Sequence, residues 1–109
     1  MAVDLLRGTL DMLVLKALTR GPMHGYGIAR WLEQVTSDAL SVEEGSLYPA
    51  LRRLMQRGWV RAEWGVSENN RRARYYSLSR KGSSQLEREV AAWDRFKGVV
   101  AEVLDVPEG

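Results

Sequence analysis

The sequence predicts a mainly α fold with one small antiparallel β-hairpin. Three observations carry that expectation: apolar residues recur at helical spacing in four segments, two alternating segments flank one polar turn, and 109 residues with 45% apolar composition suffice for one compact domain. A core of that size buries only about two-thirds of the surface of the unfolded chain, which leaves room for help from a partner subunit.

The first helical segment, residues 8 to 20, places Leu10, Leu13, Val14, Ala17 and Leu18 at helical spacing, with Thr9 as N-cap and Arg20 before Gly21-Pro22 as its stop. Ile28, Leu32 and Val35 mark a second helix from about His24 to Val35, with Arg30, Glu33 and Gln34 turned outward. Gly25 and Gly27 weaken its first turn and point to close backbone packing there. His24 is read as a capping or packing histidine, and Tyr26 as a core residue or one packed on the third helix.

The third helix lies within "EEGSLYPALRRLMQRG", residues 43 to 58. At 100° per residue, Leu51, Leu54 and Gly58 fall on the side of Leu47, while Gly45, Pro49, Arg52 and Gln56 fall opposite and Tyr48 and Arg53 occupy the two shoulders. On sequence rules alone Pro49 could open this helix, because the first helical position has no use for an N–H and favours the φ of proline.

"WVRAEWGV" (59–66) and "RARYYSL" (72–78) then alternate in strand fashion around "SENNR", whose paired asparagines suit a turn. Trp31, Trp59 and Trp64 are read as structural. Ser79 is the expected N-cap of a last helix of some 25 residues, along which Leu86, Val90, Trp93, Lys97, Val100 and Leu104 form a row that is apolar except for Lys97, with Phe96 and Val103 beside it. So long a stripe exceeds what a small domain can cover, and its expected use is a homodimer seam. The division is therefore residues 1–78 as one domain and 79–109 as a dimerisation helix and tail.

Charge identifies the working face. Overall net charge is only +2, yet residues 45 to 81 hold nine Arg or Lys against two Glu, a net +7, which leaves the remainder at −5. The order helix, helix, turn, helix, hairpin, long helix is that of a winged helix-turn-helix with an added dimerisation helix. In that architecture the third helix enters the major groove and the hairpin lies along the neighbouring backbone. The basic residues fall on those two elements.

Other chemistry finds little support. The chain has no cysteine and one histidine, so it lacks a thiol nucleophile, a disulfide and any metal-ligand spacing; no cofactor and no catalytic activity are expected. Asp4, Arg7, Asp11 and Lys16 interrupt the N-terminal apolar stretch, against a signal-peptide core or a membrane span, so the cytoplasm is the expected location and no membrane partner is expected.

"LRGTLDMLVLKAL", "GPMHGYGIARWLEQ", "EEGSLYPALRRLMQRGWV" and "RRARYYSLSRKG" closely resemble the PadR family of bacterial transcriptional regulators over residues 5 to 82. The single last helix looks like the short subfamily. The resemblance implies a homodimer that binds double-stranded operator DNA, usually as a repressor, often released by a small hydrophobic effector. It also implies a third helix that begins near Ser41 to Glu43, with "SVEE" as a capping box and Pro49 inside it. Met55 departs from the family, which commonly has an acidic residue after "RRL".

Candidate DNA contacts are Ser46, Tyr48, Pro49, Arg52 and Arg53 on the third helix and Arg71, Arg72 and Arg74 on the hairpin. Arginine suits bidentate contact to guanine in the major groove, and the hairpin arginines suit phosphate or the minor groove. Val90, Trp93, Phe96 and Val100 are candidates for the dimer interface or an effector site, with Trp93 read either as dimer core or, as similar family members suggest, as an aromatic clamp. The alternative function is a winged-helix module that binds a protein or a small molecule without DNA.

Overall fold

The computed structural model describes residues 3–109, with side chains from Gly8 onward; Met1 and Ala2 and the side chains of Asp4 and Arg7 lie outside the described residues. The chain runs α1 (Val3–Leu18), β1 (Met23–His24), α2 (Gly25–Val35), α3 (Glu44–Gln56), β2 (Val60–Val66), β3 (Arg72–Leu78) and α4 (Arg80–Leu104). This is the expected mainly α fold with a hairpin, arranged as a winged helix.

One core joins every element. Val14, Leu15, Ala17 and Leu18 of α1 meet Ile28 and Leu32 of α2, Leu47, Ala50, Leu51 and Leu54 of α3, Val60 and Tyr76 of the sheet, and Leu86 of α4. Burying each of the larger side chains contributes about 1.5–3 kcal/mol. The helices form because their apolar positions recur on one face; the opposite faces carry charge.

Three boundaries differ from the sequence expectation. α1 starts well before Thr9, which lies inside the helix and not at its N-terminus. A single-residue N-cap signal is outweighed here by continuous helix-compatible sequence on both sides. Met23 and His24 form a short strand that pairs with Tyr76 and Tyr75, so among the described residues the sheet has three strands in the order β1-β3-β2. A two-residue strand has no periodicity to read. Finally, α3 starts at Glu44 with Glu43 as N-cap and no side-chain capping bond, so the "SVEE" capping box is not formed. Val42 N–H instead donates to Glu33 Oε2 at 3.2 Å, which ties the incoming chain to α2.

Pro49 lies inside α3, as the resemblance implied. An interior proline costs about 3 kcal/mol, which four buried apolar residues on the other face of the helix offset. α3 stops in a Schellman motif: Gly58 has φ of 77°, its N–H donates to Met55 O at 3.0 Å, and Trp59 N–H donates to Leu54 O at 3.0 Å.

The hairpin register pairs Val60 with Leu78, Ala62 with Tyr76, Trp64 with Arg74 and Val66 with Arg72. Asn70 takes the left-handed conformation, φ 59°, at the turn, in keeping with the asparagine signal. Ser79 caps α4 by accepting from Gly82 N–H at 3.0 Å, as its sequence position predicts.

Beyond Glu89 every residue of α4 is exposed. The helix therefore projects from the body, and the molecule is elongated, with extents of 62 × 29 × 21 Å. Val90, Trp93, Phe96, Val99, Val100, Val103 and Leu104 leave an uncovered apolar stripe along it. No helix among the described residues is long and apolar enough to cross a membrane.

Gly82 anchors the root of α4. A Cβ there would run into the Trp59 backbone carbonyl, which cannot move without breaking the turn into β2. Gly82→Ala is therefore expected to destabilise the fold by about 1–3 kcal/mol, the usual range for overpacking, and thermal unfolding followed by circular dichroism should show a clear drop in Tm.

Candidate nucleic-acid interface

The expected contact residues divide between two hollows on either side of α3. Tyr48 stands with Arg71, Arg72 and Arg74 around an open groove of about 630 Å³ between the hairpin and the start of α2. Ser46, Pro49 and Arg53 line a smaller, largely apolar hollow of about 320 Å³ with Leu10, Leu13, Leu40 and Val42. Arg52, one helical turn after Tyr48, is exposed on the outer surface of α3.

Tyr48 is placed by its neighbour in α2. A Cβ on Gly25 would lie 2.6 Å from the Tyr48 hydroxyl, so only glycine lets the phenol lean against the start of α2. That is the close packing the paired glycines signalled. His24 accepts from Gly27 N–H through Nδ1 at 2.9 Å, so it acts as the N-cap of α2. Partial burial, followed by the proximity of Tyr76 and Glu44, raises the Tyr48 hydroxyl above its ordinary pKa. The ring is still 44% exposed, which leaves one edge free for a ligand.

Arg53 has a different role from the one expected. Its Nη2 donates to Asp11 Oδ1 at 2.7 Å and its Nε donates to Oδ2 at 3.2 Å, a bidentate pair with a carboxylate that is only 5% exposed. The hydrogen bond to Asp11 raises the pKa of Arg53 further. Arg57 approaches the same carboxylate at 3.9 Å. The pair fastens α3 to α1, and the shoulder position of Arg53 faces the protein. Arg53 is thus removed from the outward candidates, because its guanidinium is already committed.

The remaining cations of this region have no carboxylate partner among the described residues. Of the nine between Gly45 and Lys81, only Arg53 and Arg57 pair with a carboxylate among the described residues. Arg52, Arg71, Arg72 and Arg74 are exposed. Among the described residues no group of His, Asp or Glu is arranged to hold a metal ion.

Two aromatic residues stand where the sequence reading did not put them. Tyr26 is 71% exposed and stands outside the core, at the edge of the groove that Tyr48 of α3 also lines. Trp64 is 60% exposed, with Arg72 and Arg74 guanidinium carbons 4.5 and 5.9 Å from its ring centroid. Strand alternation placed Trp64 on one face with Val60 and Ala62. It could not show that the hairpin runs past the end of the core, so that its outer half has no partner layer.

A groove of unpaired arginine and aromatic edges between the third helix and a β-hairpin defines a winged helix-turn-helix protein of the nucleic-acid-binding class. Comparison with known proteins supplies the family. Residues 14–88 match the family model described as "Transcriptional regulator PadR-like family". The chain belongs to that family of winged-helix regulators. It is similar to a transcriptional regulator from Clostridium thermocellum, with TM-score 0.83 and 27% identity over 91% of this chain and 96% of that one. A PadR family transcriptional regulator from Eggerthella lenta gives TM-score 0.82 and 31% identity over 96% of this chain and 89% of that one. An uncharacterised 37.1 kDa protein in transposon TN4556 of Streptomyces fradiae is 43% identical over 84% of this chain, which spans 25% of that protein's length.

Two measurements check the placement of these side chains. Asp11→Ala leaves the Arg53 guanidinium half-sheltered and unpaired, and should cost about 2 kcal/mol in chemical denaturation. In tyrosine titration, one group should ionise above the ordinary value of 10.0. Gly25→Ala displaces the Tyr48 ring into water, and that group should return toward the ordinary value.

Proposed function

We propose that this chain is a cytoplasmic, homodimeric repressor that binds a palindromic operator in double-stranded DNA and is released by a small hydrophobic or aromatic effector. The observation that carries this reading is that Arg52, Arg71, Arg72 and Arg74 stay exposed on α3 and the hairpin and have no carboxylate partner among the described residues. The family supports DNA as the polyanion they meet.

In this reading α3 enters the major groove. Arg52 presents a planar fork that matches the two acceptors on the guanine edge, and Tyr48 contributes a hydroxyl one turn earlier. Pro49 and Gly45 carry no bulky side chain on the outer surface, which lets the helix backbone approach the duplex closely. Ser46 lies at the front of α3 within reach of a phosphate once that approach is made. Arg71, Arg72 and Arg74 neutralise phosphates or enter the minor groove from the hairpin.

Two copies joined through the uncovered stripe of α4 would set their third helices about 34 Å apart, one turn of duplex. Val90, Trp93, Phe96 and Val100 would supply the seam. The Trp93 and Phe96 rings, 6.2 Å apart, offer flat surfaces for an aromatic guest between subunits. Such a guest would weaken DNA binding only by preferring a dimer shape with a different spacing of the third helices.

Fluorescence anisotropy on the DNA upstream of the chain's own gene tests the reading. Neutralising about six phosphates gives a log–log salt slope near −5. Arg52→Ala should cost about 1–3 kcal/mol for the operator and much less for unrelated DNA, while Arg72→Ala should weaken both and lower the slope by about 1. Unchanged binding by the combined Arg52→Ala and Arg72→Ala variant, or a monomer in sedimentation, would exclude this function.

A further inference from the structure

We infer that Trp64 is a positioning residue for DNA binding, a platform that holds Arg72 and Arg74 aimed into the groove before the duplex arrives. The inference rests on the proposed function and adds to it a residue that the sequence reading treated as structural.

The cross-strand register brings the three side chains together. Trp64 pairs directly with Arg74, and Arg72 pairs with Val66 one step nearer the hairpin tip on the same face of the sheet. A direct and a diagonal neighbour across antiparallel strands both lie within reach of a large ring. Both guanidiniums use that reach, at 4.5 and 5.9 Å from the same indole centroid. Two like charges two residues apart on one strand face would otherwise diverge. The electron-rich indole attracts both and holds them near one ring.

Packing does not account for Trp64. The indole is 60% exposed on β2, an edge strand of the sheet, and contributes nothing to the buried core. Its position matters in another way. The ring lines the same groove as Tyr48, so the arginines stacked on it face the DNA side of α3. A free arginine side chain loses much rotamer freedom when it grips a phosphate. Arg72 and Arg74 surrender part of that freedom before binding, because the indole already restricts them.

A double-mutant cycle separates this role from direct contact or from mere structure. Trp64→Leu should keep its Tm and its oligomeric mass, yet bind upstream DNA on the order of 3–10-fold more weakly, the loss expected from one or two exposed cation–π contacts. In a background that already carries Arg72→Ala and Arg74→Ala, Trp64→Leu should cause no further loss. Trp64→Phe, which keeps an aromatic face, should restore most of the affinity.

A second readout needs no DNA. In the free protein the Arg72 and Arg74 side-chain N–H resonances should be displaced upfield by the indole ring current, and Trp64→Leu should return them to ordinary values. A full loss that persists in the double-arginine background, no loss at all, or unshifted arginine resonances would each overturn the positioning role. Failure of the unsubstituted protein to bind any DNA, with the arginine shifts present, would instead identify the proposed function as the step at fault, and the role would fall with it.

Discussion

α3 is held firmly from behind, and the presentation of everything else on the outer surface depends on it. Leu47, Ala50, Leu51 and Leu54 bury one face completely against the core. The bidentate Asp11–Arg53 pair adds a directional clamp where apolar contact would let the helix rotate. Because hydrophobic burial is non-directional, it sets the depth of the helix better than its rotation. A short hydrogen-bonded ion pair with a buried carboxylate fixes the remaining angle. The opposite face, with Pro49 and Arg52, is left outward as a consequence.

The hairpin applies the same economy. Its base, Val60 with Leu78 and Ala62 with Tyr76, is welded to the core, while its outer half extends past the end of that core. A strand face that changes from apolar to arginine and tryptophan within two registers has changed its partner from protein to solvent. The wing thereby gains reach without loss of anchorage. Its basic groups remain available because the acidic residues that could neutralise them lie elsewhere: Asp11 behind α3, and most others outside residues 45 to 81.

α4 shows the opposite imbalance. Its root is fixed by the Ser79 cap, the close approach of Gly82 to Trp59 and the burial of Leu86. Beyond it, a stripe of valine, tryptophan, phenylalanine and leucine meets water. An exposed apolar patch rimmed by charge marks an association surface. The two regions of the molecule, one basic and one apolar, meet at α1, which packs on both α3 and α4.

The amino-acid sequence by itself determined the order of the four helices and the hairpin, the apolar face of each long helix, the caps at His24 and Ser79, the turn at Asn70 and the concentration of cations on α3 and the hairpin. Each of these is a local property, expressed in spacing or in the chemistry of neighbouring residues, and local properties survive in one dimension. Only the tertiary structure decided that Arg53 turns inward to Asp11, that Met23 and His24 add a third strand, that Tyr26 stays outside the core, and that Trp64 gathers Arg72 and Arg74. Those contacts join residues 8 to 53 positions apart in the chain. A helical shoulder or a strand face names the side on which a residue lies. What waits on that side is set by the packing of the whole chain.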